Sequence, residues 1–352
     1  MDLTRCTAVL MVFLAGVAIG YSEQQPVFSI DLRDYSGQLG RCYNPPTTAR
    51  KWPNVTEETN KPIIRLQFWG QYLIVDTSPR PIMAYDKVRQ AMVATNDLTP
   101  CPRLVFDVTT GKAVSAEIVK NEFLEPQPWA KPCATTHPEC RRHSTMSSPP
   151  LQDEPEDAVH EMDRWKDMRI VTIGSGADLY LEQAGRERVL VYKAPKNEAR
   201  ENCLPGAMFL GADHIGIKEC SPNPRRSDQM TVVDKAGRKR YAMKRYLTRR
   251  YVMPDAANTV LNGKGTRFAV YETSSAHFYD VMNSLANRNT LWIGVTVLSA
   301  DTGKKIVQYH WSGENEESLH DLGRLALSDD GLLLAVIKDP MVVLFPVPAD
   351  SK

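Results

Sequence analysis

Charge imbalance is missing from this sequence: 43 lysines and arginines stand against 42 aspartates and glutamates, a formal net charge of +1. A chain so balanced generates no global field toward nucleic acid or an anionic membrane. Long apolar runs are absent beyond about residue 20, so no later segment is apolar enough to cross a bilayer. Apolar residues seldom recur at helical spacing, which argues against a helical bundle. Catalytic signatures are lacking as well. There is no Gly-x-Ser-x-Gly elbow and no His-Glu-x-x-His pair. Gly174-Ser175-Gly176 is too short for a phosphate cradle, and no helical Lys-Ser/Thr follows it. His277, His310 and His320 lie near serines and carboxylates, but residues this common do not make a triad by adjacency. No enzymatic site and no cofactor site stands out.

What is present begins with a leader. Residues 1–22 carry Arg5, an apolar run from Ala8 to about Gly20, and small residues at Ala18, Gly20 and Ser22. That is the layout of a cleavable secretory signal peptide, and the run is short for an anchor that needs roughly 20 residues. The chain is therefore expected outside the cytoplasm, secreted or in the periplasm or cell envelope, with no transmembrane segment after leader removal. Beyond Cys6 the cysteines are Cys42, Cys101, Cys133, Cys140, Cys203 and Cys220. An even set in an oxidising compartment reads as disulfides. Sequence proximity favours Cys133–Cys140 and Cys203–Cys220, leaving Cys42 with Cys101.

The rest of the chain repeats a unit. In "VLNGKGTRFAVYE" (260–272) and "LALSDDGLLLAVIKDPMVVLF" (325–345) a polar, Gly-containing turn precedes an apolar strand. Aligning Asn262–Gly265 with Ser328–Gly331 places Phe268-Ala269-Val270 over Leu334-Ala335-Val336. Asp107–Lys112, Asp234–Arg238 and Ala300–Lys304 are turns between β-rich runs, and strand pairs are also expected in 63–76 and 169–193. Short sheets of this kind cannot bury their apolar faces alone and must stack. Repeats of about 40–45 residues characterise propellers, so 23–352 reads as one all-β domain, a β-propeller of six or seven blades, some degenerate. A pair of β-sandwiches is the alternative. Val27–Ile30 is placed to close a ring by pairing with the last blade.

The Ser328–Gly331 turn with its two strands, and the Asp-x-x-Thr-Gly-Lys hairpins at Asp107–Lys112 and, more tightly, Asp301–Lys304, resemble the bacterial secreted β-propeller proteins related to WD-repeat and YVTN-type repeats. No blade ends in Trp-Asp, no Gly-His pair opens one, and Asp329 stands where the related turn has proline. The resemblance implies a non-catalytic exported scaffold that binds a protein or glycan partner as a monomer. The alternative is an envelope enzyme on the same scaffold, a quinoprotein-like oxidoreductase or hydrolase using the central channel.

Two insertions interrupt the pattern. Residues 126–163 are Pro/Ser-rich and then acidic, a long irregular insertion; 274–289 space Phe278, Met282 and Leu285 as a short helix. Cys133, His137, Cys140 and His143 match no strong zinc spacing, and a disulfide accounts for the sulfurs more simply. The acidic run Asp153–Asp157 lacks the spacing of a calcium loop. The stretch 235–250 is intensely basic, with Tyr241 and Tyr246 interleaved. Its Arg238, Lys239, Arg240, Lys244 and Arg245 form a candidate surface for an anionic partner or, in the plainer reading, the solvated face of an edge hairpin. Export and balanced charge argue against nucleic acid.

Overall fold

The computed structural model describes residues 25–39, 63–78, 83–86, 91–94, 102–119, 158–174, 178–194, 206–218, 229–244, 259–273, 291–313, 325–338 and 341–349. They form five four-stranded antiparallel sheets and one two-stranded hairpin. Sheet I contains β2 (Ile63–Trp69), β3 (Tyr72–Ser78), β6 (Leu104–Asp107) and β7 (Ala113–Val114), with the hairpin β4 (Met83–Asp86) and β5 (Ala91–Ala94) between its second and third strands. Sheet II contains β8 (Val159–Trp165), β9 (Met168–Ile173), β10 (Leu179–Gln183) and β11 (Val189–Tyr192). Sheet III runs β12 (Gly206–Gly211), β13 (His214–Lys218), β14 (Gln229–Asp234) and β15 (Lys239–Lys244). Sheet IV runs β16 (Thr259–Leu261), β17 (Arg267–Thr273), β18 (Leu291–Ser299) and β19 (Lys305–Gly313). Sheet V has β20 (Leu325–Leu327), β21 (Leu333–Lys338), β22 (Met341–Pro346) and, as its outermost strand, β1 (Phe28–Asp31) from the other end of the chain.

Most of the core lies between sheets; a smaller cluster of Ile74, Val105 and Val119 belongs to sheet I alone. Phe209, Ile215 and Ile217 of sheet III pack with Ile170, Leu179 and Leu181 of sheet II. Met208, Leu210 and Val232 meet Phe268 and Val270 across the III–IV boundary, and Val295, Val297 and Tyr309 meet Leu334, Val336 and Phe345 across IV–V. Ala335, Ile337 and Leu344 meet Leu66, Phe68 and Phe106 across V–I. First strands approach one another: β8 packs on β12 and β2 and β16 both pack on β20. A central strand such as β21 is therefore covered on both faces, so "LLAVIK" and "MVVLF" read as continuous apolar runs without alternation. Successive sheets, each a meander from an inner to an outer strand and the last completed by the N-terminal strand, make the β-propeller expected from the repeats.

The repeat alignment holds at the level of register. Leu261 pairs with Phe268 and Val260 with Ala269, as Leu327 pairs with Leu334 and Ala326 with Ala335. The turns match too. In one, Ser328 Oγ accepts the Leu333 N–H at 2.9 Å and donates to Asp330 at 2.6 Å. In the other, Asn262 Oδ1 accepts the Thr266 and Arg267 N–H groups, each at 2.9 Å. Gly265 and Gly331 close these turns at φ +64° and +72°, a region that penalises a Cβ. The closing strand also forms as expected, with Ile30 opposite Val342 and Phe28 opposite Leu344. Asp31 then caps a short 3-10 turn, Leu32–Tyr35, which turns Leu32 into the core.

One boundary differs from the sequence reading. Sheet begins at Val159, inside the stretch expected to stay irregular up to residue 163. The polar sequence of β8, with Glu161, Asp163 and Arg164, masks its strand character because this innermost strand keeps partial contact with solvent along its length. The six or seven blades expected compare with five four-stranded sheets among the described residues; 120–157 and 274–289, which hold the rest of the irregular insertion and the expected helix, lie outside them. So do all six candidate disulfide cysteines and the leader. Among the described residues, no helix is long and apolar enough to cross a membrane.

Candidate functional site

In each sheet the first strand leads to a turn and the third strand to another, and strand alternation brings both to the same end of the fold. The turns of sheets II to V are knitted together. The Ala212 N–H of sheet III donates to Gly265 O of sheet IV at 2.9 Å, and Tyr241 Oη donates to Ala300 O at 2.6 Å. Asn262 Nδ2 donates to Asp329 O at 3.0 Å, and buried Arg267 donates to Gly331 O and Pro348 O at 3.0 and 2.9 Å. Lys166 Nζ, stacked 4.5 Å over the Trp165 ring, reaches from sheet II to Gly263 O at 2.9 Å. The close approach leaves no space for side chains at the contacts: a Cβ on Gly265 would lie 2.4 Å from the Ala212 nitrogen. Such a surface presents side chains from a rigid base.

Its charge is concentrated on sheets II and III. At the end of sheet II, the β8–β9 and β10–β11 turns flank a cleft of about 500 Å3. Arg164 and Arg169 line it from the first hairpin, Arg186 and Arg188 from the second, and Asp167, Glu182 and Gln183 complete it. Glu182 is clamped from both sides, accepting from Arg169 Nε at 2.5 Å and Arg188 Nε at 2.7 Å. Burial works to raise its carboxyl, but the two arginines outweigh burial and hold it below the ordinary carboxylate range. Asp167 is held low by the Gln183 amide at 2.8 Å, helped by the charges of Lys235 and Arg186. Arg164 pairs with Glu161 at 2.6 Å. The Arg186 side chain has no bonded partner among the described residues. Four guanidiniums against Asp167, Glu182 and the Glu161 carboxylate that pairs with Arg164 leave one positive charge in excess.

The neighbouring outer turn is the basic hairpin singled out in the sequence. Arg238, Lys239 and Arg240 are exposed on it, with Arg238 folded back onto Asp234 at 2.8 Å. Strand β15 continues to Lys244, whose side chain, like all of Arg245, lies outside the described residues. Tyr241, expected to interleave with the basic groups, is turned inward and spends its hydroxyl on Ala300, so it offers no free stacking platform. Gly237 of this turn lies against the backbone of Leu190 and Val191 in β11, which makes the hairpin and the cleft neighbours. The hairpin was legible as a run of basic residues. The cleft was not, because its arginines come from two turns and meet only when β9 and β10 pair.

Burial also displaces His214 on β13 and Asp163 on β8. Burial lowers His214, partly offset by Asp301, whose carboxylate lies 3.7 Å from Nε2. Burial pushes Asp163, on inner strand β8, up to about 6, while its Oδ2 accepts the Phe209 N–H of sheet III at 2.7 Å. Among the described residues no three His, Cys, Asp or Glu side chains converge to hold a metal.

No family model matches the chain, and no curated protein matches it. Solved structures similar to it include a chain of the mitotic checkpoint complex, at 9% identity over 94% of this chain and 96% of that one, with a TM-score of 0.29. The WD40 domain of SCAP from fission yeast matches at 10% identity over 82% of this chain and 60% of that chain, with a TM-score of 0.28. A DUF4221-family protein from Bacteroides vulgatus matches at 7% identity, covering 82% of this chain and 63% of that one, with a TM-score of 0.19.

Proposed function

We propose that the chain is an exported, propeller-type interaction scaffold that holds an anionic protein or glycan partner against its turn-bearing end. The observation that carries this reading is the knitted platform itself: turns of successive sheets tied by backbone-directed bonds, with exposed arginines and lysines gathered on sheets II and III. A surface fixed in this way binds without first paying to order its loops. The carboxylates of inner strand β8 support the scaffold reading over catalysis in the central channel. Glu161 is engaged by Arg164, and Asp163 by the Phe209 N–H. Export rests on the leader alone, and N-terminal sequencing of material from outside the cytoplasm tests it; a first residue after about position 22 is expected, and an intact Met1 would refute cleavage.

The binding role is tested by pull-down from extracellular or envelope material. Wild type is compared with a variant carrying Arg238→Glu, Lys239→Glu, Arg240→Glu, Lys244→Glu and Arg245→Glu. Loss of bound partners by the variant is expected. Equal recovery by both proteins would count against this hairpin as the contact.

A further inference from the structure

The arginine cleft of sheet II makes a second, more selective demand on a partner than the basic hairpin does. Its lining is a preformed carboxylate clamp. Arg169 and Arg188 already converge on one carboxylate, Glu182, each through its Nε. Arg164, although paired with Glu161, keeps 55% of its side chain exposed, and Arg186 lies open beside it without a bonded partner. Guanidinium N–H groups match carboxylate oxygens in geometry and form the stronger class of hydrogen bond. At about 500 Å3 the cleft takes one or two side chains, not a folded surface. Directly beyond Arg188, Val189 and Leu190 of the outer strand β11 are 39% and 42% exposed on its two faces, so the chain leaves the charged pocket along an apolar rim of the sheet. A bare polyanion has no use for that rim, and no aromatic side chain lines the cleft to stack a base. We infer that the cleft bounded by Arg164, Arg169, Arg186 and Arg188 is a docking site for an acidic polypeptide segment that carries apolar residues between its carboxylates.

This inference rests on the scaffold reading for its biological sense but concerns a different sheet from the hairpin, so the two fail separately. The test uses the full mature chain and a fluorescein-labelled peptide of alternating glutamate and leucine, followed by fluorescence anisotropy. Binding is expected to weaken by about tenfold or more in Arg164→Glu/Arg186→Glu, given the strength of charge-assisted bonds. It is expected to weaken with rising salt as well. Lys218→Glu, at the opposite end of sheet III, should bind as wild type does. The milder Arg164→Gln/Arg186→Gln variant, checked for an unchanged melting temperature, gives the same comparison should charge reversal next to Glu161 unsettle the fold. Equal binding by wild type and both cleft variants would overturn the inference. So would equal binding of a glutamine–leucine peptide, or binding of a sulfated oligosaccharide that the cleft variants abolish while the glutamate peptide fails to bind. Hairpin variants that still bind the peptide would leave the cleft standing even where the pull-down result has discarded the hairpin.

Discussion

Replacing Asp163 by asparagine is expected to stabilise this protein at neutral pH. Asp163 lies on the innermost strand of sheet II, where the register slips between Glu161 and Asp163 and leaves Met162 as an extra residue. From there its Oδ2 accepts the Phe209 N–H of the next sheet. Burial carries its carboxyl from 3.8 to about 6, with the like charge of Glu161 adding to the rise. Between those two values the folded chain binds the proton that the unfolded chain has released, so stability falls as pH rises from about 4 to 6 and stays at its lower level above. Each pH unit of displacement is worth about 1.4 kcal/mol, which sets a ceiling of about 3 kcal/mol. Asp163 keeps a partial opening to solvent, and screening there reduces the expected cost to about 1–3 kcal/mol. Asparagine removes the charge while its carbonyl still accepts from Phe209. Denaturant unfolding at pH 7.5 should therefore show D163N more stable than wild type, with the advantage gone near pH 4. D163A removes the same charge but leaves the Phe209 N–H unpaired, and should be about 1–3 kcal/mol less stable than D163N. A D163N protein as unstable as D163A at pH 7.5 would refute the reasoning, because it would mean that the ionised carboxylate itself is what the site needs.

Two further outcomes follow from the packing. Gly265→Ala should cost about 2–4 kcal/mol, since its positive φ and the approach of Ala212 and Trp165 both oppose a Cβ. Gly70→Ala, with φ +55° but open space around it, should cost only about 1–2 kcal/mol in the same thermal or chemical unfolding measurement; equal losses would deny the interlock between turns. Removing residues up to 31 from the chain takes buried Ile30 out of the core and uncovers the edge of β22. A loss of at least about 2 kcal/mol and concentration-dependent association by light scattering are expected, and an unchanged melting temperature with a monomeric profile would speak against closure by β1.

Hairpins were legible because their causes are local. A polar side chain that caps the turn and a glycine a few residues on sit next to each other in the chain at Asn262–Gly265, Asp234–Gly237 and Ser328–Gly331, and each turn forms where that pattern stands. The closing role of residues 28–30 was legible for a similar reason: an apolar strand left at one terminus has an unpaired last sheet to meet. Strand β8 escaped notice because it stays partly wet along its length and so carries no clean apolar signal, unlike the inner strand β20, which is buried throughout.

What the order of residues determined unaided was thus the kind of unit, its turns and its manner of closing, since these depend on neighbours within a few positions. Which charges meet was decided only by the tertiary structure. Arg164 and Arg169 join Arg186 and Arg188 because β10 pairs with β9 and sets the two turns side by side. Asp163 acquires its displaced proton affinity because another sheet is packed over it. Electrostatic energies depend on distance in space and on exclusion of water, and neither quantity exists in a chain until the sheets have stacked.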